Sequence, residues 1–219
     1  MSSPSDTCNH CSEVLVSPLA CGSCDSLFPV AGTMSPFEVL GMRTSARLDR
    51  SVLRKRLLEL QRLMHPDFHG AAGEALKDLA EHNTAELNAA FEMLRDESKR
   101  ASWLVESLGG PTESAERQMP QAFLMEVMEW NEELEELKAA AEPAATLPRL
   151  EDFRAQLNLE RARLLEDVLD RLEEELAREL HAPDALSSLR RDLNAIRYID
   201  RALTEVATLT LAAEEASRT

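Results

Sequence analysis

Four cysteines near the amino terminus have the spacing of a metal site. Cys8 and Cys11 form one C-x2-C pair, and Cys21 and Cys24 form a second. Each pair can present two thiolates to one tetrahedral ion, and the segment is too short to build a hydrophobic core of its own. We therefore predict a structural zinc site. Two disulfides, an iron site and redox chemistry are the alternatives, and His10 is a competing ligand.

A second group of chemically capable side chains is His65-Pro66-Asp67. Because Pro66 disfavours helical geometry at the preceding residue, we expect the helix before it to end there and an exposed polar loop to follow. A general base needs a pocket and a charge partner, and no second catalytic group accompanies His65. A plain helix-ending turn is the alternative. We favour a rigid turn presented to a protein partner.

The segment before this turn reverses the charge of the chain. The sequence has 24 Lys+Arg against 40 Asp+Glu, for a net charge of −16. Between Arg43 and Met64, however, seven basic residues accompany two acidic ones, which leaves about +5. The overall acidity argues against a dedicated nucleic-acid binder, so we interpret this segment as a surface that steers an acidic protein partner. DNA binding through it is an alternative that salt-dependent binding would reveal.

The elements that must position these groups are helical throughout. Only 7 Gly and 4% aromatic residues are present, and the apolar residues recur at helical spacing. Helices are predicted over residues 36–40, 48–64, 74–96, 99–108, 121–140, 150–181 and 184–213. The second and third pack as an antiparallel hairpin with the His-Pro-Asp loop at its tip, and the last three form a bundle. No apolar run approaches the ~20 residues of a membrane span.

The helix over residues 121–140 has two apolar faces. Its core face comprises Phe123, Val127, Trp130, Leu134 and Leu137. A second group lies roughly 140–150° away around the helix, where it is bordered by carboxylates. That group comprises Leu124, Met125, Met128, Glu129, Glu132 and Glu136. A wider core is one interpretation, and a protein-binding patch with an acidic rim is the other. Tyr198, the only tyrosine, lies opposite the core stripe of the last helix.

The first half of the chain resembles a J-domain over Met34–Leu108. The resemblance lies in a short helix, a basic helix, His-Pro-Asp in the turn and a third amphipathic helix. Proteins of that family dock on a DnaK-type chaperone and stimulate its ATP hydrolysis. The resemblance implies that the chaperone-binding residues are His65, Pro66, Asp67, Arg54, Lys55, Arg56 and Arg62. Phe68-His69 follows the motif where Lys is common, which reduces the basic surface slightly.

The second half resembles the C-terminal domain of the HscB family, on Ala122–Glu126, Glu133–Leu137 and Arg197–Arg201. HscB-type proteins are J-protein co-chaperones of iron–sulfur cluster biogenesis, which deliver an IscU-type scaffold to HscA or to a general DnaK-type chaperone. The resemblance implies that the scaffold-binding residues are Leu124, Met125, Met128, Glu129, Glu132, Glu136 and Tyr198. Met128 stands where Leu is usual. A four-cysteine ribbon belongs to only a subset of the family.

The sequence therefore predicts an all-α protein with three regions. A tetracysteine zinc-binding ribbon covers 1–33, a J-domain helical hairpin 34–110, and a C-terminal three-helix scaffold-binding bundle 117–213. We expect an adaptor without an active site, with two protein partners and neither a nucleic-acid nor a membrane partner. Because no Lys or Arg precedes Arg43, no targeting leader is expected and we predict a cytoplasmic location, with a processed organellar form that has lost its leader as the alternative. A J-protein for other clients and a zinc or redox protein are the alternatives, and weak self-association stays open.

Overall fold

The computed structural model describes residues 7–30, 32–69 and 73–218, and it confirms an all-α fold. The chain divides into two compact units, Met1–Arg100 and Ala101–Thr219. The division falls inside a helix and places the cysteine ribbon in the same unit as the predicted J-domain hairpin. The three regions 1–33, 34–110 and 117–213 remain a proposed division by function. Among the described residues, no helix has both the length and the apolar character that crossing a membrane requires.

The helices agree with the predicted order, with one addition and some shifted ends. They are α1 Pro36–Val39, α2 Arg50–Met64, α3 Pro66–His69, α4 Glu74–Arg95, α5 Glu97–Ser107, α6 Phe123–Ala139, α7 Leu147–Leu176 and α8 Pro183–Ala216, with a 3-10 turn Pro143–Thr146 before α7. The predicted loop after His65 begins with the short α3, since proline is well suited to the first turn of a helix. Helix α7 ends five residues earlier than predicted, so residues 177–182 connect it to α8.

Helices α2 and α4 form the predicted antiparallel hairpin. Gln61 donates from Nε2 to Asn88 Oδ1 at 3.1 Å, and Thr84 donates from Oγ1 to the Met64 carbonyl at 3.1 Å. As residue numbers rise along α2 they fall along α4, which is the antiparallel register. The Thr84 bond also satisfies a carbonyl at the end of α2 that has no partner within the helix. The residue before the His-Pro-Asp turn is thereby fixed to the opposite helix.

The ribbon, residues 7–30, packs on this hairpin through side chains of both helices. The Arg56 guanidinium of α2 donates to the carbonyls of Val16 at 2.5 Å and Leu40 at 2.8 Å. The Asn83 amide of α4, which is fully buried, donates to the carbonyls of Leu19 at 3.3 Å and Phe28 at 2.9 Å. These bonds satisfy carbonyl groups of a segment that has little regular structure. The ribbon is therefore anchored at both helices of the hairpin.

Gly41 is required where α1 meets the ribbon. Its φ of +59° is in the left-handed region, and a Cβ added there would lie 2.0 Å from the Val16 carbonyl oxygen. Its N–H donates to the Glu38 carbonyl at 2.9 Å, which ends α1 in the way a C-terminal glycine does. The position therefore needs glycine both for its backbone conformation and for the close approach of the ribbon.

The second unit contains the predicted three-helix bundle. Arg161 and Arg171 of α7 pair with Asp200 and Asp192 of α8 at 2.5 and 2.7 Å, so α7 and α8 are antiparallel. On α6, Asn131 bonds Tyr198, and Lys138 pairs with Glu205 at 2.7 Å, so α6 and α8 run in the same direction. The predicted core face of α6 is buried: Phe123, Val127, Trp130, Leu134 and Leu137. One apolar stripe of α6 is therefore used by the bundle, as predicted.

Candidate functional sites

The His-Pro-Asp turn lies exposed at the tip of the hairpin. His65 ends α2 with extended backbone angles, and its side chain and that of Asp67 are 52% and 87% exposed. The Asp67 N–H donates to His65 Nδ1 at 3.2 Å, and the two side chains approach to 3.8 Å. In the neutral ring Nδ1 is thus the acceptor, and the proton is on Nε2. The turn is held by its own hydrogen bonds.

Phe68 extends the exposed surface of the turn. Its ring packs edge-on against His65 with the centroids 5.7 Å apart, yet its side chain is 73% exposed. Its N–H donates to the His65 carbonyl at 3.0 Å, which closes the first turn of α3. The structure therefore places an exposed aromatic ring where the sequence predicted only a polar loop. The exposure of Phe68 could not be predicted from the sequence, because it depends on how α3 folds.

The basic residues of α2 divide into two groups. Arg54, Lys55 and Arg62 are exposed, and the guanidinium groups of Arg54 and Arg62 have no ion pair with any residue in the described ranges. Arg56, by contrast, has a side chain only 23% exposed and donates to the carbonyls of Val16 in the ribbon and of Leu40, which follows α1. Both groups came from the same run of basic residues in the sequence. The structure thus gives Arg56 a ribbon-anchoring contact that its chaperone-binding prediction did not include.

The four cysteines converge as a metal site requires. Their sulfur atoms all lie within 4.8 Å of one another, and Cys8–Cys24 and Cys11–Cys21 are each 3.6 Å apart. A tetrahedron with metal–sulfur bonds of ~2.3 Å has edges of about 3.8 Å, so the donor set fits one ion. The four thiols are free rather than paired in disulfides. The sequence prediction of a four-thiolate metal site is therefore compatible with the structure.

Each knuckle of the ribbon has the same local hydrogen bonds. The N–H groups of His10 and Ser23 donate to the sulfur atoms of Cys8 and Cys21, both at 3.4 Å. Such bonds stabilise the thiolate form, which is the form that ligates a metal. The hydroxyl and N–H of Ser26 lower the pKa of Cys24 to about 6. His10 contributes its backbone rather than its ring to Cys8.

The second face of α6 is exposed in the structure. Leu124, Met125 and Met128 are 44%, 67% and 62% exposed, and Glu129, Glu132 and Glu136 lie around them. We call these six residues the α6 patch. Arg149, at the start of α7, pairs with Glu136 and with the neighbouring Glu133, both at 2.9 Å. The apolar centre of the patch therefore faces solvent, while one end of its acidic rim is partly neutralised.

Tyr198 borders the α6 patch rather than standing apart from it. Its hydroxyl donates to Asn131 Oδ1 at 2.6 Å, and its ring packs edge-on against Phe123 with centroids 6.2 Å apart. Partial burial raises the pKa of the hydroxyl. Asn131 follows Met128 by three residues and Leu124 by seven, so it lies on their side of α6. The structure thus brings together residues that are 70 positions apart in sequence.

Comparison with known proteins identifies relatives of both halves. The family model of the HSCB C-terminal oligomerisation domain matches residues 119–207. A co-chaperone protein HscB homolog of Vibrio cholerae is 40% identical over 116 residues, covering 52% of this chain and 67% of the relative. The Shewanella halifaxensis HscB homolog is 30% identical over 168 residues, covering 74% of this chain and 97% of the relative.

The solved structures of two HscB proteins share the fold. Human co-chaperone protein HscB aligns with a TM-score of 0.71 at 23% identity, covering 92% of this chain and 97% of that chain. The chaperone HscB from Vibrio cholerae aligns with a TM-score of 0.55 at 27% identity, covering 84% and 98%. The fold, the family-model match and relatives matched over nearly their full length agree. The chain belongs to the HscB family of co-chaperone proteins.

Proposed function

We propose that this protein is an adaptor of iron–sulfur cluster biogenesis that has no active site of its own. Unit 1 engages a DnaK/HscA-type chaperone, and the α6 patch holds an IscU-type scaffold. The observation that carries the proposal is the pairing, in one HscB-family chain, of an exposed His-Pro-Asp turn with an exposed apolar patch on a separate helix. Unbridged thiols suit a reducing compartment, and we propose the cytoplasm.

The proposed action on the chaperone is stimulation of ATP hydrolysis. Arg54, Lys55 and Arg62 provide an exposed basic surface that steers toward an acidic partner. His65 and Asp67 are presented by a turn whose hydrogen bonds limit its freedom, so little conformational entropy is lost on docking. In this role the two side chains contact the chaperone and change its catalytic rate. The ATP and the reacting atoms belong to the chaperone.

The proposed scaffold site combines apolar area with charge. Leu124, Met125 and Met128 supply the buried centre of the interface, and methionine adapts readily to a partner surface. The glutamates of the α6 patch lie at its edge, where they favour basic partner residues and set orientation. Tyr198 adds an aromatic ring at the border nearest α8. The scaffold carries the cluster, while this chain supplies the surface that holds it.

We propose zinc as the ion of the ribbon. Four thiolates complete a tetrahedral shell and leave no position for a substrate, which is the arrangement of structural zinc. When bound, the ion cross-links two knuckles that would not fold by themselves. Elemental analysis tests the assignment. One equivalent of zinc without visible absorption supports it, and stoichiometric iron with thiolate-to-metal absorption contradicts it.

The chaperone role is tested by ATPase stimulation. His65→Gln in the full-length protein is compared with His82→Gln, the same exchange at another exposed histidine of unit 1. We expect His65→Gln to lose stimulation and His82→Gln to keep it, with both proteins folded by circular dichroism. Equal stimulation by the two variants would refute the assignment of the turn.

The scaffold role is tested by titration with a purified IscU-type protein. Leu124→Ala/Met125→Ala is compared with Leu159→Ala/Leu211→Ala, which removes exposed leucines from α7 and α8 outside the patch. We expect only the first double variant to weaken binding, by roughly tenfold or more. Unchanged affinity in the first variant would refute the patch assignment.

A further inference from the structure

A cleft whose walls are fixed by hydrogen bonds lies beside α8 in the second unit. Residues 111–120 run along this helix and enclose a cleft of about 700 Å³ against it. Asn194 fixes the segment by donating its amide to the carbonyls of Glu116 at 2.9 Å and Gln118 at 2.8 Å. The buried Arg190 donates to the Pro111 carbonyl at 2.8 Å. The walls of the cleft are therefore held by specific hydrogen bonds.

The cleft retains positive charge after its internal ion pairs are formed. Arg197 pairs with Glu113, and Glu106 pairs with the buried Arg190 at 2.9 Å. Both acidic residues that line the cleft are thus neutralised. The guanidinium groups of Arg117 and Arg201 also line it, and they have no ion pair or hydrogen bond with any residue that the structure describes. Two unpaired arginines in a chain of net charge −16 are a local reversal of sign.

The cleft adjoins the α6 patch at Tyr198. The tyrosine lines the cleft, and it also contacts Phe123 and Asn131 of α6. Met119 adds an apolar surface to the same lining. A protein that covers the α6 patch and Tyr198 therefore has the cleft directly at the edge of its footprint. The patch presents carboxylates and the cleft presents guanidinium groups, so the two surfaces select for opposite charges.

We propose that this cleft binds an acidic segment of the protein partner that covers the α6 patch. Arg117 and Arg201 donate to carboxylates of that segment, and Arg guanidinium groups match carboxylates in geometry as well as charge. Because the patch and the cleft have opposite signs, the pair fixes the orientation of the partner. The inference rests on the proposed scaffold function for the identity of the partner. The chemistry of the cleft rests on its own residues.

The cleft is tested directly with a hexaglutamate peptide. The full-length protein is titrated at low ionic strength while the side-chain Nε–H resonances of its arginines are followed by NMR. We expect the signals of Arg117 and Arg201 to shift, and Arg117→Gln/Arg201→Gln to weaken binding by roughly tenfold, since an exposed ion pair contributes up to about fivefold. Arg154→Gln, at an exposed arginine of α7, should bind as the parent does. Absence of binding, or equal binding by the double variant, would overturn the inference.

A second titration separates this inference from the proposed function. An IscU-type scaffold is added to Arg117→Gln/Arg201→Gln and to Leu124→Ala/Met125→Ala at low and high salt. The inference is supported if the cleft variant binds more weakly than the parent at low salt and the difference shrinks at high salt. If only the patch variant binds weakly, the cleft inference fails and the proposed function stands. If the patch variant binds normally, the proposed function fails, and the hexaglutamate titration still decides whether the cleft takes acidic peptide.

Discussion

The two proposed binding surfaces differ in what makes them specific. The proposed chaperone surface of unit 1 consists of the short His-Pro-Asp turn and the exposed arginines of α2. The turn is fixed by hydrogen bonds among its own residues. The α6 patch has an apolar centre of leucine and methionine side chains with a glutamate rim, on a helix whose other face is buried. A fixed turn acts through geometry, so a single change can abolish its effect. An apolar patch acts through buried area, so its losses accumulate residue by residue.

The supports of the two surfaces differ as well. Helices α2 and α4 carry the turn, and both donate side-chain hydrogen bonds to a ribbon that is organised around four thiols. The aromatic and leucine side chains on the core face of α6 are buried, and the Phe123 ring packs against Tyr198 of α8. We therefore expect the stability of the proposed chaperone surface to depend on metal binding by the ribbon. Support for the α6 patch comes mainly from hydrophobic burial, and this contrast can be tested in four ways.

Metal removal should have the largest effect, and it should be confined to unit 1. Chelation unfolds the ribbon, because apparent binding free energies of about 10–16 kcal/mol sustain small zinc modules. The hairpin then loses its bonds from Arg56 and Asn83, and each such bond contributes about 1 kcal/mol. Hydrogen-exchange mass spectrometry with and without chelator should show reduced protection in α2 and α4 and unchanged protection in α7 and α8. Equal loss in both units would contradict the contrast.

Gly41→Ala should weaken the packing of the ribbon against Gly41 while leaving the four cysteines unchanged. The added methyl meets the Val16 carbonyl at 2.0 Å and the residue is forced into the left-handed region, so we expect a loss of about 3 kcal/mol. Gly32→Ala is the control, since Gly32 has a similar φ of +69° with open space around its Cβ position, and should cost about 1 kcal/mol. Denaturant unfolding compares the two. Equal losses would mean that the close approach is relaxed at little cost.

Single truncations in the α6 patch should have additive, salt-insensitive effects. Met125→Ala and Met128→Ala should each weaken scaffold binding by roughly tenfold, as expected for burial of a methionine side chain. The double variant should show the product of the two effects. Titration calorimetry at low and high salt measures both. A strong salt dependence would show that the glutamate rim, rather than the apolar centre, dominates binding.

Charge removal on α2 should have the smallest effect and the clearest salt dependence. Arg54→Gln and Arg62→Gln should each weaken chaperone docking by about threefold at low salt and by less at high salt. Arg56→Gln should instead lower the stability of unit 1, because the Arg56 guanidinium donates to the carbonyls of Val16 in the ribbon and of Leu40 after α1. Surface plasmon resonance and thermal unfolding separate the two effects. Loss of docking by Arg56→Gln at unchanged stability would support the prediction that Arg56 also binds the chaperone.

The sequence predicted these features where they depend on local spacing. His65-Pro66-Asp67 ends a helix because of proline geometry, and the two faces of α6 follow from a period of 3.6 residues. Each C-x2-C pair forms its own knuckle, which brings the two thiols of that pair together. In each case the determining residues lie within a few positions of one another. The order of the helices and the two apolar faces of α6 could therefore be predicted before any tertiary contact was known, whereas periodicity left open whether the second face is exposed or part of a wider core.

The features that sequence reasoning missed depend on contacts between distant segments. Arg56 was grouped with its exposed neighbours, although it bonds a carbonyl 40 residues away. Asn83 stands on the buried face of α4 because it bonds two ribbon carbonyls, and no periodicity distinguishes it from an exposed asparagine. The cleft beside α8 likewise forms only when residues 111–120 lie along that helix. Polar side chains that bond distant backbone carbonyls leave no local signal in a sequence.

The anchoring of the ribbon also imposes an order on folding during synthesis. The ribbon leaves the ribosome first, but its anchors on α2 and α4 lie 40 and 64 residues downstream of the carbonyls they bind. The thiols can therefore acquire their ion while the rest of unit 1 is still being translated. The ribbon can pack on the hairpin only after α4 has been synthesised. We therefore expect metal loading of the ribbon to be an early, local event, and completion of the proposed chaperone-facing unit to be a later one.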